Sequence, residues 1–375
     1  MGQLAGIPAP VDGAARDAAG DSLEGPEADT WDHFVASVAG DVTQTTAWGR
    51  SKQATGSSVV MAISRAESGI RGGALILIKR LARFVAVGYV ARGPLLLPSA
   101  TGTDVVAVLD EIERQARRRG LLHLVIQPPL GGDAIAAELA ARGYSSDAPE
   151  VSPGATLLID LTQGADAVLA GMSPSRRRNV RQATQGGLDV GSGDRDDIER
   201  FQSLHASSAG RQGFQPLPTS YLFAQWDALR PASAVELVTA SLAGRTIAGI
   251  WLTVCHGTVT YRLPGWSGEA ARLQPNVACH WYAIRQAIGR GDHSYDLGGI
   301  DRSLAAAILH GEPGPPHGPQ TPAAFKLGFG GDPVLLPRAF QRTLNPLARP
   351  LVRAVLAGFG ESQLLRAFLK RLRAS

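Results

Sequence analysis

Cysteine is nearly missing from this chain. Cys255 and Cys279 are the only two in 375 residues, which excludes a disulfide framework and a cysteine-built zinc site. Long apolar runs are missing too. None reaches the roughly 18 residues a membrane span requires, and the N-terminus lacks the basic-then-apolar pattern of a secretory signal. A cytoplasmic protein is expected. The eight histidines show no metal-ligand spacing and no Ser/His/Asp set. His310 and His317 fall in a Gly/Pro stretch expected to be exposed. No metal and no cofactor are therefore anticipated. Lysine is the last scarcity. It occurs only at positions 52, 79, 326 and 370, nearly all other positive charge being arginine, so a lysine inside a motif carries unusual weight.

Apolar residues are plentiful, at 44%, and a chain of this length can bury a core in each of two halves. Residues 1–30 are rich in Ala, Gly, Pro and acids and read as a disordered tail. A net charge of +4 is weak evidence for an acidic partner, although the tail's acids mask a more basic body.

The pattern along the body repeats. Ser58–Ile63 and Ala74–Lys79 are β-rich neighbours, and Gly88–Ala91 reads as a strand running into a turn at Arg92-Gly93-Pro94. Asp104 is placed to cap a helix whose Val105, Val108, Leu109 and Ile112 share one face. A continuous apolar strand, Leu121–Ile126, and a helix at Ala134–Ala141 follow. In the second half, Ser173 and Pro174 start a basic helix through Gln185, and Asp196–Ser208 is another helix. Val235–Leu242 and Thr246–Val254 form a hairpin. Thr258–Leu263, a helix at Asn276–Ile288 and a strand at Ser294–Leu297 complete the set. The expected fold class is α/β with mixed sheets, as two tandem GNAT-like acyltransferase domains. The first spans 31–160 and the second 161–331, with 332–375 packing back on the first.

The most informative stretch is Tyr295-Asp296-Leu297-Gly298-Gly299 followed by Phe325-Lys326-Leu327-Gly328-Phe329-Gly330-Gly331. With Trp48 to Lys52, Arg92-Gly93-Pro94, Thr156 to Leu161, Arg176 to Gly187, Arg211 to Phe214, Tyr261 to Gly265 and Pro275-Asn276, it resembles the FemABX family. Those enzymes move an amino acid from aminoacyl-tRNA onto a peptide amine. The resemblance covers about Trp31 to Pro337. It implies that Phe325 and Lys326 hold the tRNA end, with the Lys326 cation meeting the developing oxyanion. The dull alternative is a glycine-rich turn closed by a lysine salt bridge.

The resemblance further implies that Lys52 and Arg211 anchor an anionic acceptor. Tyr261 either approaches the acceptor or is a core tyrosine. Asp296 either contacts substrate or fixes its Gly-Gly turn, and Asn276 either contacts substrate or caps a helix. Arg176, Arg177, Arg178 and Arg181 fit contact with tRNA phosphates or a solvated helix face.

Two departures narrow the reading. Where some family members carry an Asp before Pro near the acceptor, this chain has Gln127-Pro128. The stretch that would cradle a CoA pyrophosphate reads Arg272 to Ala278, where Pro275 removes one backbone donor and the expected glycines are missing. The partners expected are therefore aminoacyl-tRNA and a peptide, amine or muropeptide acceptor, in natural-product biosynthesis or peptidoglycan bridge formation. The lack of an obvious coiled-coil arm before Arg211 favours the former. An acyl-CoA-dependent N-acyltransferase and a non-catalytic tRNA-binding protein are the alternatives. The amino acid, the general base and the oligomeric state are not legible.

Overall fold

The computed structural model describes residues 21–361 apart from 68, 83–84, 149–151, 314–317 and 319–320. His317, Lys370 and residues 1–20 of the expected tail lie outside the described residues. Helices are α1 (Pro26–Ser37), α2 (Thr46–Gln53), α3 (Gly102–Arg118), α4 (Asp133–Ala141), α5 (Ala165–Gly171), α6 (Pro174–Gln185), α7 (Ile198–Gln212), α8 (Thr219–Leu229), α9 (Pro275–Arg290), α10 (Arg302–His310), α11 (Pro322–Leu327) and α12 (Arg349–Glu361). Strands are β1 (Ser58–Ala66), β2 (Gly69–Ala82), β3 (Val85–Ala91), β4 (Leu95–Leu96), β5 (His123–Gln127), β6 (Ala155–Asp160), β7 (Asp189–Gly193), β8 (Val235–Leu242), β9 (Arg245–Cys255), β10 (Thr258–Trp266), β11 (Ser294–Gly299), β12 (Asp332–Leu335) and β13 (Phe340–Thr343). Among the described residues, no helix is long and apolar enough to cross a membrane.

The strands fall into two mixed sheets, β1-β2-β3-β5-β13 with β4 beside β2, and β12-β6-β11-β10-β9-β8-β7. Each sheet contains one parallel pair joined by a helix: β3 to β5 through α3, and β10 to β11 through α9. A parallel pair needs such a crossover, whereas the hairpins do not. The duplicated grammar of the sequence is thus a duplicated topology.

Several boundaries differ from expectation. Order reaches back into the anticipated tail: Leu23 is buried, and α1 buries Ala28, Trp31, Phe34 and Val35 on one face. The N-cap of α3 is Thr101, with Asp104 as its partner three residues on, so Asp104 completes a capping box and is not itself the cap. β6, expected to close the first half, is a strand of the second sheet between β11 and β12. Among the described residues beyond 331, β12 lies in the second sheet, and β13 with its flanking Ala339 and Leu344 returns to the first. Arg342 on β13 holds that return by an ion pair of 3.1 Å to the buried Glu113 of α3.

One apolar cluster joins the halves. Val42, Ala47 and Trp48, at and before α2, pack with Phe201 of α7, Tyr221, Leu222 and Trp226 of α8, and Trp251 of β9. Trp48 and Trp251 are fully buried. Trp48→Ala opens a large cavity at this junction and is expected to cost about 3–5 kcal/mol of stability in urea unfolding. A loss below about 1 kcal/mol would show that the junction is not a packed core.

Candidate active site

A cleft of about 500 Å³ has strands of the second sheet as one wall and, as the other, β4 with the loops around residues 38–42, 92–100 and 129–132 of the first half. Strand alternation decides what reaches it. On β10, Thr258 and Thr260 line the cleft, while Val259 and Tyr261 turn to the helical core behind the sheet. On β11, Ser294 and Asp296 line the cleft, and Tyr295 and Leu297 are core.

Asp296 performs two tasks. Its Oδ1 accepts from the Gly298 amide at 2.7 Å and from the Thr156 hydroxyl, which fixes the turn that ends β11. The carboxylate still lines the cleft. Gly298 is left-handed at φ 75, and a side chain there would clash with the Tyr261 carbonyl at 2.9 Å, with Lys326 Nζ in contact at 3.6 Å. Only glycine lets the turn close under the lysine.

Lys326 enters this turn from α11, a short helix capped by Thr321 and not the loose glycine turn that its neighbours suggest. Its Nζ donates to the Gly299 carbonyl at 2.7 Å and lies 5.9 Å from the centre of the Tyr261 ring. Burial pushes the Lys326 ammonium down to about 8, and nearby Asp296 opposes that shift. The group is therefore mostly a cation at neutral pH, but a poorly solvated one, which strengthens its pull on negative charge developing nearby.

The helix that carries Lys326 is fixed from behind by Arg176. This guanidinium stacks on Phe325 at 4.4 Å and Phe329 at 4.5 Å and donates to the Phe325 carbonyl at 2.7 Å. Gly328 leaves it room, since a Cβ there would lie 3.0 Å from Arg176 Nε. Arg176 is only 7% exposed. Expectation is corrected here: Arg176 supports the lysine helix and is not presented to a tRNA phosphate. His280 of α9 completes the cage. It contacts Tyr261 at 4.5 Å and Phe329 at 5.1 Å between ring centres, and its Nδ1 pairs with Tyr295 Oη at 2.8 Å. Burial, aided by Arg176 and Lys326, drives its pKa to about 3, so it stays neutral. Tyr261 is likewise held neutral by burial. It forms part of the bed for Lys326 and does not face the cleft.

Other anticipated residues are not brought together here. Lys52 is 4% exposed. Its Nζ donates to Tyr221 Oη and sits 4.2 Å over the Trp48 ring. Burial, with Arg262 and Lys79 adding repulsion, lowers its pKa well below the usual lysine value. Lys52 is thus part of the junction between the halves and not an open anchor. Arg211 lies in the last turn of α7 and folds onto the Trp266 carbonyl and the Ser207 hydroxyl, away from the cleft wall. Asn276 is the second residue of α9 and makes no cap; Gln274 occupies the N-cap position. Arg177 donates to the Ala170 and Met172 carbonyls. Arg178 and Arg181 are the exposed arginines of the basic helix.

Sequence reasoning passed over His280 and Phe329. A signal existed for His280: Val277, His280, Ile284 and Ala287 recur at helical spacing, and all are buried.

Residues 174–304 match the family model described as an acetyltransferase (GNAT) domain. Among solved structures, FemX is 19% identical, with a TM-score of 0.75 over 86% of this chain and 98% of its own. L-PGS from Bacillus licheniformis is 13% identical, with a TM-score of 0.52 over 88% and 95%. A tandem GNAT protein of the clavulanic acid biosynthesis pathway is 12% identical, with a TM-score of 0.50 over 85% and 95%. No curated protein matches the sequence. The fold is of the tandem GNAT type. Its two halves are arranged as in FemX, so the FemABX-type fold implied by the sequence is the fold observed.

Gly298→Ala is expected to cost about 1–3 kcal/mol in urea unfolding, because it forces a left-handed alanine against a carbonyl. Gly171→Ala, which meets nothing within 4 Å, serves as the control and is expected to be neutral. Equal effects would show that the turn tolerates a side chain.

Proposed function

We propose that this chain is an aminoacyltransferase: it passes the amino acid of an aminoacyl-tRNA to the amine of a small acceptor held in the cleft, forming an amide. The observation that carries this reading is Lys326, a desolvated cation fixed beside a cleft-lining carboxylate. An aminoacyl ester is already activated, so no enzyme nucleophile is required. The acceptor nitrogen attacks the ester carbonyl and the bond to the ribose oxygen breaks. The amine proton leaves with that ribose hydroxyl, directly or through water. Lys326 stabilises the oxyanion that forms between the two events, and orientation in the cleft supplies much of the remaining barrier reduction.

Arg178 and Arg181, exposed on α6, are the cations of that helix available to tRNA phosphates. The setting fits cytoplasmic synthesis of a peptide natural product or of a peptidoglycan bridge. The reading with acyl-CoA as donor rests on the GNAT match alone, and Pro275 at the start of α9 counts against it.

The test is transfer of label from total tRNA charged with radioactive amino acids to a cell-extract acceptor pool. Label should reach a small RNase-resistant product only when the tRNA starts intact. Transfer that survives prior RNase treatment, or that requires acetyl-CoA, would contradict the reading. Lys326→Met is expected to lower single-turnover transfer by about 10²–10³-fold, in line with removal of one oxyanion donor, while acceptor binding changes little. Unchanged turnover would remove Lys326 from the chemistry.

A further inference from the structure

The cleft wall carries charge in an uneven pattern. Among the described residues that line it, Arg92 is the single cation, facing the two carboxylates of Asp41 and Asp296. Arg92 follows directly on β3 in a left-handed conformation, φ 52, that non-glycine residues seldom adopt. No hydrogen bond or ion pair to its guanidinium occurs among the described residues. Asp41 feels its charge: burial raises that carboxyl, but Arg262, Arg92 and the Thr43 contacts outweigh burial and lower it. Yet Asp41 accepts its hydrogen bond from the Thr43 amide, at 2.9 Å, and not from Arg92. Five guanidinium donors are therefore left to whatever enters the cleft. Asp296 mirrors this. Its Oδ1 accepts from the Gly298 amide in the turn and from the Thr156 hydroxyl on β6, and its Oδ2 has no partner among the described residues.

We propose that Arg92 is the carboxylate-binding subsite of the acceptor pocket, and that the acceptor is a free amino acid or short peptide. Its carboxylate pairs with Arg92 and its amine lies toward Asp296. A planar carboxylate suits the guanidinium fork. A phosphate or diphosphate would bring two or more negative charges to a wall that already has two carboxylates against one arginine. A zwitterion balances both kinds of group, and about 500 Å³ is within the usual size of a small-molecule site. The identity of the acceptor rests on the aminoacyltransferase reading; the subsite itself does not.

The experiment is calorimetric titration of the full chain with alanyl dipeptides bearing a free carboxylate, the same dipeptides as C-terminal amides, and uridine diphosphate. A dipeptide acid is expected to bind at least about tenfold more tightly than its amide, the span of one charge-assisted contact. Arg92→Gln should lose that preference while binding the amide as before, and Arg92→Lys should retain part of it. Should Arg92→Gln fail to fold, the Arg92→Lys comparison alone decides. Equal binding of acid and amide, an unaltered preference in both variants, binding of uridine diphosphate in place of the dipeptides, or no binding by any dipeptide would overturn the proposal. No tRNA enters this assay. Failure of RNase-sensitive transfer would leave a positive result standing, and failure here would leave the donor reading untouched.

Discussion

The site depends on a missing side chain. Gly298 turns left-handed between Asp296 and Gly299, with the Tyr261 carbonyl 2.9 Å from where a Cβ would lie. That turn brings three groups together: the Asp296 carboxylate, which holds it closed, the Gly299 carbonyl, which receives Lys326, and the ammonium itself. Any larger residue at 298 would press on the Tyr261 carbonyl and disturb the turn that Asp296 and Lys326 both engage. Burial lowers the Lys326 ammonium to about 8, and Asp296 opposes that shift and favours the charged form.

Around that turn the protein sorts its cations by solvation. Arg176 and Lys52 are both buried and both stacked on aromatic rings, one beneath the lysine helix and one at the junction of the halves. Arginine suits the first position because its flat, weakly hydrated group can lie between Phe325 and Phe329 while donating to a backbone carbonyl. Neither cation is left for a ligand. Among the described residues the cleft keeps one arginine and two carboxylates, and this balance, more than any single residue, defines the chemistry of what it can hold.

Much of this was legible in the sequence. The two rounds of hairpin, helix and parallel strand were readable because apolar periodicity and turn residues agree in each. Lys326 stood out because lysine is scarce and its neighbours are aromatic and glycine. Other features had no local signature. α8 begins after prolines and is held by tertiary contacts of Tyr221 and Trp226, and β13 is a four-residue strand whose place is set by pairing with β5 and by Arg342 on Glu113. Lys52 and Arg176 were misassigned for a shared reason: sequence shows charge but not burial, and a cation beside aromatics reads alike whether it faces a phosphate or a ring. Tyr261 was ambiguous until the alternation of β10 showed which face the cleft takes.

The central claim is that Lys326 is a desolvated cation whose charge is maintained by Asp296. The chain has only four lysines, so lysine labelled at Cε with ¹³C should give a spectrum in which each can be followed. Lys326 is expected to titrate near 8, and Asp296→Asn should move that midpoint lower, because the carboxylate favours the charged form. A Lys326 that titrates near 10.4, as an exposed lysine does, or one indifferent to Asp296→Asn, would contradict the account.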